Sequence, residues 1–349
     1  MPILYRRSSR RYHFIKCYVM NFRQFGNTSL RVSEIGFGAW AIGGNAIVGN
    51  TAIGWGPADD NESSKAIKAS LDAGINFFDT ADFYGLGHSE KILGKEIGKM
   101  RDLIIATKVG HRAINNSIQL DYSKAYILEA CNESLKRLKR ETIDYYQLHS
   151  ARLTHFENET CIEAMEQLKK EGKIKYWGLS LNTFKPEPEA EYLMKHQKGN
   201  GFQLVFNIIN QKALPLLKDA AKKDFGIIAR MPLQFGLLTG TMDNDKIFPE
   251  DDHRHFRLNR DIITATNKIL NEKVWTLCNK YSISKTSLAL SFILSVDGVS
   301  TVIPGIRTAY QAKENTRGIV QLEKVDVDFL LSLYESDWKQ IVEMMEIVG

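Results

Sequence analysis

Cysteine is sparse and scattered. The four, Cys17, Cys131, Cys161 and Cys278, form no C-x-x-C pair, which removes a zinc knuckle and a disulfide framework and leaves reduced thiols in a cytoplasmic protein as the expectation. No window approaches the roughly 18 to 20 consecutive apolar residues of a membrane helix, and no apolar core follows the first basic residues as in an export signal. A soluble chain without a membrane partner is expected. Acidic residues are missing from the first 19 positions, where Arg6, Arg7, Arg10, Arg11 and Lys16 stand without a counter-charge. Those five cations account for the whole formal net charge of +5. The remaining body is neutral, which speaks against a nucleic-acid partner, since nucleic-acid surfaces concentrate Lys and Arg on one face. Proline numbers only 8 in 349 residues, while 44% of the chain is hydrophobic and 25% charged. That balance supports a large buried core and excludes disorder as the main theme.

From Met20 the text changes character. Residues 21–25 and 30–33 read as two short strands around the Gly26-Asn27 turn. Met20 reads as a natural start, and residues 1–19 as a basic extension: upstream sequence, a targeting segment or a disordered arm. Beyond it, short apolar runs at Glu34–Gly38, Ile75–Thr80, Leu103–Val109, Ile143–His149, Ile174–Ser180, Phe202–Asn207, Gly226–Met231 and Val299–Pro304 predict eight buried strands. Amphipathic stretches separate them. The clearest is Ser123–Arg140, where Ile127, Cys131, Leu135 and Leu138 share one face behind a Ser123 cap. Lys136, Arg137, Lys139 and Arg140 crowd its last turn and read as a solvated helix end. Alternation of this kind predicts an α/β fold, a (β/α)8 TIM barrel over 20–349, with an N-terminal β-hairpin and a helical C-terminal extension from Val325 to Val348. In such a barrel, chemistry belongs at the strand C-termini. No oligomeric state is read from the sequence.

Two patterns mislead. Gly36-x-Gly38-x-x-Ala41, with Asp59, Asp60 and Glu62 about 20 residues on, mimics a dinucleotide fingerprint. The fingerprint needs a helix at the glycines, and Ile42-Gly-Gly-Asn-Ala-Ile-Val-Gly-Asn-Thr51 is too rich in Gly and Asn to form one. His253-Arg-His255 lacks a third ligand at metal-binding spacing, so it reads as a solvated loop and no metal is expected.

Scanning strand ends for reactive side chains gives Asp79, Lys108 and His149 on three successive strands, with Tyr84 five residues beyond Asp79. Singly each is bland; together on one barrel face they form a candidate site. The segments Asp79-Thr-Ala-Asp-Phe-Tyr84-Gly85, Ala106-Thr-Lys108 and Gln147-Leu-His149 resemble the catalytic motifs of the aldo-keto reductase superfamily. The resemblance continues through Gly178-Leu-Ser180-Leu-Asn182, Gln203, Arg230-Met-Pro-Leu233, Gly236-Leu-Leu238 and Ile303-Pro-Gly-Ile-Arg307-Thr308, then Gln311 and Glu314-Asn315.

That resemblance implies an oxidoreductase that reduces an aldehyde, ketone or sugar carbonyl. A carbonyl accepting hydride gains negative charge on oxygen, so a proton donor must stand there. Tyr84 is that donor, Lys108 lowers its pKa from about 10, Asp79 holds Lys108, and His149 orients the carbonyl. No side chain supplies hydride, which implies a nicotinamide cofactor; the resemblance, through Arg307, points to NADPH, with NADH as the alternative. By resemblance Ser180, Asn182 and Gln203 hold the carboxamide, and Arg230 stands where relatives often stack an aromatic ring. By the same resemblance Gly236, Leu238, Gly240 and the Pro304–Thr308 loop with Gly305 serve the pyrophosphate and adenosine side, and Pro232 and Leu233 also bind the cofactor. Arg307 receives a 2′-phosphate, with Gln311, Glu314 and Asn315 toward the adenine-ribose. Trp40 and Trp55, with Tyr84 and His149, are expected to bound the substrate, and the loops at 40–55, after His149 and at 241–260 to select it. Because potassium-channel β-subunits resemble the same family, a cofactor-binding regulatory or redox-sensor subunit is the rival reading.

Overall fold

The computed structural model describes residues 20–348 apart from Trp55 and Asp251. The basic extension at 1–19 and the candidate Trp55 therefore lie outside the described residues. Eight parallel strands form the barrel: β1 (Phe37–Gly38), β2 (Phe77–Asp79), β3 (Ile104–Val109), β4 (Ile143–His149), β5 (Ile174–Ser180), β6 (Gly201–Val205), β7 (Gly226–Arg230) and β8 (Thr301–Ile303). They pair in chain order, and single bridges from Ile35 to Val302 and from Gly38 to Gly305 close β1 against β8. The closing bonds run from Gly36 N to Val302 O at 2.8 Å and from Gly38 N to Pro304 O at 3.0 Å. A Cβ on Gly38 would stand 2.8 Å from the Pro304 carbonyl oxygen. The Gly-x-Gly that mimics a dinucleotide loop is thus a backbone-contact device of barrel closure, followed by a 3-10 turn at Ala41–Gly43 rather than an α-helix.

The strands are short and apolar because both faces are covered. One face of each points to the helices, among them Asp60–Asp72, Lys124–Leu138, Thr160–Lys170 and Lys285–Leu294. The other fills the barrel. Its floor is capped by an antiparallel hairpin, Phe22–Gln24 with Arg31–Ser33, which drives Phe25 inside against Tyr145 and the starts of β6 and β7. Gly201 and Gly226 are required there: a Cβ on either would come within 2.8 Å of the Phe25 ring.

Helix Lys124–Leu138 follows the expected register, with Ser123 Oγ accepting the Tyr126 N–H and Ile127, Cys131, Leu135 and Leu138 buried. Its basic end departs from the expectation. Lys136 is exposed on Glu133, but Arg137 Nε donates to buried Glu90 at 2.6 Å, and Arg140 turns inward onto the carbonyl oxygens of Leu103, Ile97 and Met100. Two of the four cations are internal ties, because unpaired backbone carbonyls and a buried carboxylate await them. The C-terminal stretch is helical as expected, split by a wide turn at Tyr334–Trp338 that buries Trp338. No helix among the described residues is long and apolar enough to cross a membrane.

Candidate active site

Strand alternation decides which side chains enter the barrel. Along β4 the inward residues are Tyr145, Gln147 and His149, while Tyr146 and Leu148 pack outward. Register aligns Gln147 with Lys108 of β3, His149 with Ser180 of β5, and Ser180 with Gln203 of β6. Asp79 ends β2, and Tyr84 is delivered by the following turn. Gly85, with φ +60°, lets that turn press on Gly43, whose carbonyl oxygen a Cβ would overlap.

Lys108 is fully buried and its ammonium has three protons to place. They go to Asp79 Oδ2 at 2.7 Å, Thr80 O at 2.7 Å and Tyr84 Oη at 3.1 Å. The phenol oxygen accepts from Lys108, so its own proton is free to point elsewhere. Asp79 Oδ1 accepts from Gln203 Nε2 at 2.8 Å and Gln147 Nε2 at 3.2 Å. Burial alone would lower the Lys108 pKa, but Asp79 and Tyr84 outweigh it and raise it, so Lys108 is a cation. Burial pushes the Tyr84 phenol up, and the opposing pull of Lys108 leaves it above its ordinary value. This differs from the expected net depression: desolvation of the phenolate exceeds the attraction of the neighbouring ammonium.

His149 lies at the end of β4 with its carbonyl oxygen accepting the Tyr122 phenol proton and its ring edge-on to Tyr84, centroids 6.0 Å apart. Its Nδ1 is buried without a partner. An orphaned lone pair costs less than an orphaned buried N–H, which favours the tautomer carrying the proton on Nε2. Burial first, then the positive neighbours including Lys108 and Arg230, holds the imidazole well below its ordinary pKa. A second imidazole, His111, stacks on it at 4.3 Å between centroids and is pulled down to about 4 by burial. Both rings are neutral in the folded state and free to protonate when unfolded. Stability gained from them is therefore complete above pH 6.5 and is lost as the pH falls toward 4. Replacing His111 by Phe should keep the stack and flatten the dependence of Tm on pH across that window; an unchanged slope in thermal unfolding would remove His111 as a source.

A cavity of about 680 Å³ opens at the C-terminal ends of the strands, with Tyr84 and His149 in its wall. Trp40 borders it, 4.9 Å from the Tyr84 ring. Ser180 and Gln203 reach it from β5 and β6, joined by a 3.4 Å hydrogen bond from Ser180 Oγ to Gln203 Oε1. Arg230, Pro232, Leu233 and Gly236 line one side, and Gly305, Arg307 and Gln311 another. Arg230 Nη2 donates to Leu181 O at 3.1 Å and Thr183 Oγ1 at 3.0 Å, and burial lowers its pKa to about 10. The Arg307 N–H donates to Gln311 Oε1 at 2.7 Å, and its guanidinium contacts the Pro57 carbonyl oxygen.

Five residues expected at the cofactor do not reach the cavity wall. Asn182 Oδ1 accepts the N–H groups of Phe184 and Lys185 and so closes its own turn. Leu238 is in the core, and Gly240, with φ +71°, makes room for Lys285. Asn315 stands behind the wall, its Nδ2 toward the Gly305 carbonyl oxygen at 3.5 Å, and half-buried Glu314 is beside it. The 241–259 segment borders the cavity, and of His253-Arg-His255, read from the sequence as solvated, His255 is exposed while His253 and Arg254 are half-buried. His253 packs 5.5 Å from Trp40 and 5.0 Å from Phe256, and Arg254 forms a bidentate pair with Asp252. The contacts of His253 with Trp40 and Phe235 and the Asp252–Arg254 pair hold the segment at the cavity. Sequence reading also assigned no role to Gln147, which shares Asp79, or to His111 and Thr183.

A dinucleotide suits this wall. Among the described residues Asp79 is its single carboxylate and is already fully used, whereas Arg230, Lys246 and Arg307 are cationic, and the buried Nε of Arg230 has no partner. A closed barrel with a proton-donating cluster beside a basic cleft defines a (β/α)8 oxidoreductase. Residues 34–335 match the Aldo/keto reductase family. The chain is 32% identical over 305 residues to the aldo-keto reductase YhdN of Bacillus subtilis, covering 82% of this chain and 85% of that protein. It is 27% identical over 321 residues, 86% of this chain and 91% of the relative, to a probable voltage-gated potassium channel subunit beta of Oryza sativa. The holo form of an aldo-keto reductase from Bacillus halodurans superposes with a TM-score of 0.75 at 28% identity, covering 90% of this chain and 96% of that one. The chain belongs to the aldo/keto reductase family and is an oxidoreductase of that type.

Proposed function

We propose that the protein reduces an aldehyde or ketone with NADPH, through Tyr84, Lys108, Asp79 and His149, over the single barrel domain formed by residues 20–349. The bound nicotinamide supplies the hydride. The observation that carries this reading is the full commitment of the Lys108 ammonium to Asp79, Thr80 O and Tyr84 Oη. With Lys108 donating to the phenol oxygen, the Tyr84 proton is turned toward a substrate oxygen. As that oxygen gains charge it takes the proton, and the phenolate left behind is met by an ammonium already in place. His149 donates from Nε2 to the same oxygen and fixes its position. Asp79, gripped by Gln147 and Gln203, aims Lys108. Ser180 and Gln203 would hold the nicotinamide carboxamide, with Arg230 on the same cavity wall. Gly236 and Gly305 leave room for the pyrophosphate near Pro232 and Leu233.

Arg307 receives the 2′-phosphate, which makes NADPH the preferred donor over NADH. Arg307→Ala should raise the KM for NADPH roughly 10- to 100-fold, the range of a charge-assisted hydrogen bond, while that for NADH changes far less. Equal changes would take Arg307 out of this role. The reading as a whole is tested by following NADPH oxidation with a panel of small aldehydes, ketones and sugars. Cofactor binding without turnover on any of them would replace the enzyme with a sensor subunit.

A further inference from the structure

Arg257 has no anionic partner in the wall it occupies. It enters the cavity from the 241–259 segment. Its Nε donates to His253 Nε2 at 2.8 Å, and its guanidinium lies 5.1 Å from the Phe256 ring centre and 5.8 Å from that of Phe235. Among the described residues no carboxylate pairs with it. Arg230, on the same cavity wall, donates to the Leu181 carbonyl oxygen, Thr183 and Met231; burial first and then the charge of Arg257 disfavour its cation, against the pull of Tyr84 and Asp79. A guanidinium such as that of Arg257 in a partly dry wall is costly without a counter-charge, and the planar fork of arginine matches a carboxylate.

Position separates this locus from the phosphate corner. Arg257 is linked through His253 to Trp40, which stacks 4.9 Å from Tyr84 on the side of the proton donor. Arg307 stands apart, against Gln311 and Pro57. We propose that Arg257, supported by the field of Arg230, receives a carboxylate carried by the carbonyl substrate, so that the preferred substrates are small aldehydo or keto acids. The aromatic rings of Trp40 and Phe235, both in the cavity wall, bound the carbon chain between the two ends. This rests on the reductase reading above.

The test compares acid and neutral isosteres with NADPH in the full-length protein: succinic semialdehyde against butanal, and 4-carboxybenzaldehyde against methyl 4-formylbenzoate. Wild type should favour each acid in kcat/KM by roughly 10- to 100-fold. In Arg257→Met the ratio should collapse toward one through KM, and Arg257→Lys should restore part of it. NADPH affinity, read by fluorescence titration, should change far less than the ratio. Turnover of the neutral aldehydes without preference for the acids overturns the carboxylate site and leaves the reductase reading standing. So does an Arg257→Met protein that loses NADPH affinity while keeping the acid preference, which would give Arg257 to a cofactor phosphate. No turnover on any carbonyl overturns the reductase reading and the carboxylate site with it.

Discussion

Tyr84→Phe should lower kcat by about 10²- to 10⁴-fold, the usual contribution of a positioned general acid, with aldehyde KM and NADPH affinity changed only a few-fold. The substitution removes one oxygen and little else. The ring keeps its packing on Trp40, with centroids 4.9 Å apart, and Lys108 Nζ stays over its face, 4.8 Å from the centroid in the native protein. Lys108 also keeps two of its three acceptors, Asp79 and Thr80 O, so the site should not collapse. What disappears is the proton that the Lys108 hydrogen bond turns toward the substrate. Steady-state rates with a small aldehyde, together with NADPH titration of the variant, check both halves. A kcat within a few-fold of wild type would hand the proton to His149, which lines the same cavity.

Most of the frame was legible because a buried parallel strand writes itself as a short apolar run, and eight such runs separated by amphipathic stretches leave few alternatives. Asp79, Lys108 and His149 could be placed from the ends of those runs, since a strand end fixes where its side chain emerges. Gln147 was hidden in the same run: its value depends on the two-residue alternation and on the cross-barrel reach to Asp79, 68 positions away. His111 had no local mark at all. It meets His149 only because Gly110, at φ +136°, turns the chain where any side chain would strike Tyr122. The 241–259 segment reads as polar and loose; its order comes from Trp40, a ring distant in sequence, from Phe235 and from the Asp252–Arg254 pair. Asn182 shows the converse. A family-like position does not fix a rotamer, and here two backbone N–H groups of its own turn occupy its Oδ1.

Lys108→Met separates the structural from the chemical value of the buried pair. Both partners are almost wholly inaccessible, 0% for the Lys108 side chain and 2% for Asp79, so solvent does little to soften the loss. Removing one member of such a pair costs about 3–5 kcal/mol, because the other is left buried and uncompensated. Here Gln147 and Gln203 still donate to Asp79 Oδ1, which places the expected loss near the lower end, about 3 kcal/mol. Urea unfolding of the variant measures it. Adding Asp79→Asn removes the stranded charge while keeping an oxygen for the two glutamine amides, and the double variant should regain most of the lost stability. Activity should not return with it: without the ammonium, the phenolate formed when Tyr84 gives up its proton stands unmet in a dry pocket, and kcat should stay down by at least about 10²-fold. A double variant no more stable than Lys108→Met would mean that Lys108 supports the fold chiefly through the Thr80 carbonyl oxygen and its packing, not through Asp79. Recovery of turnover with recovery of stability would mean that Lys108 shapes the site without stabilising the charge on Tyr84.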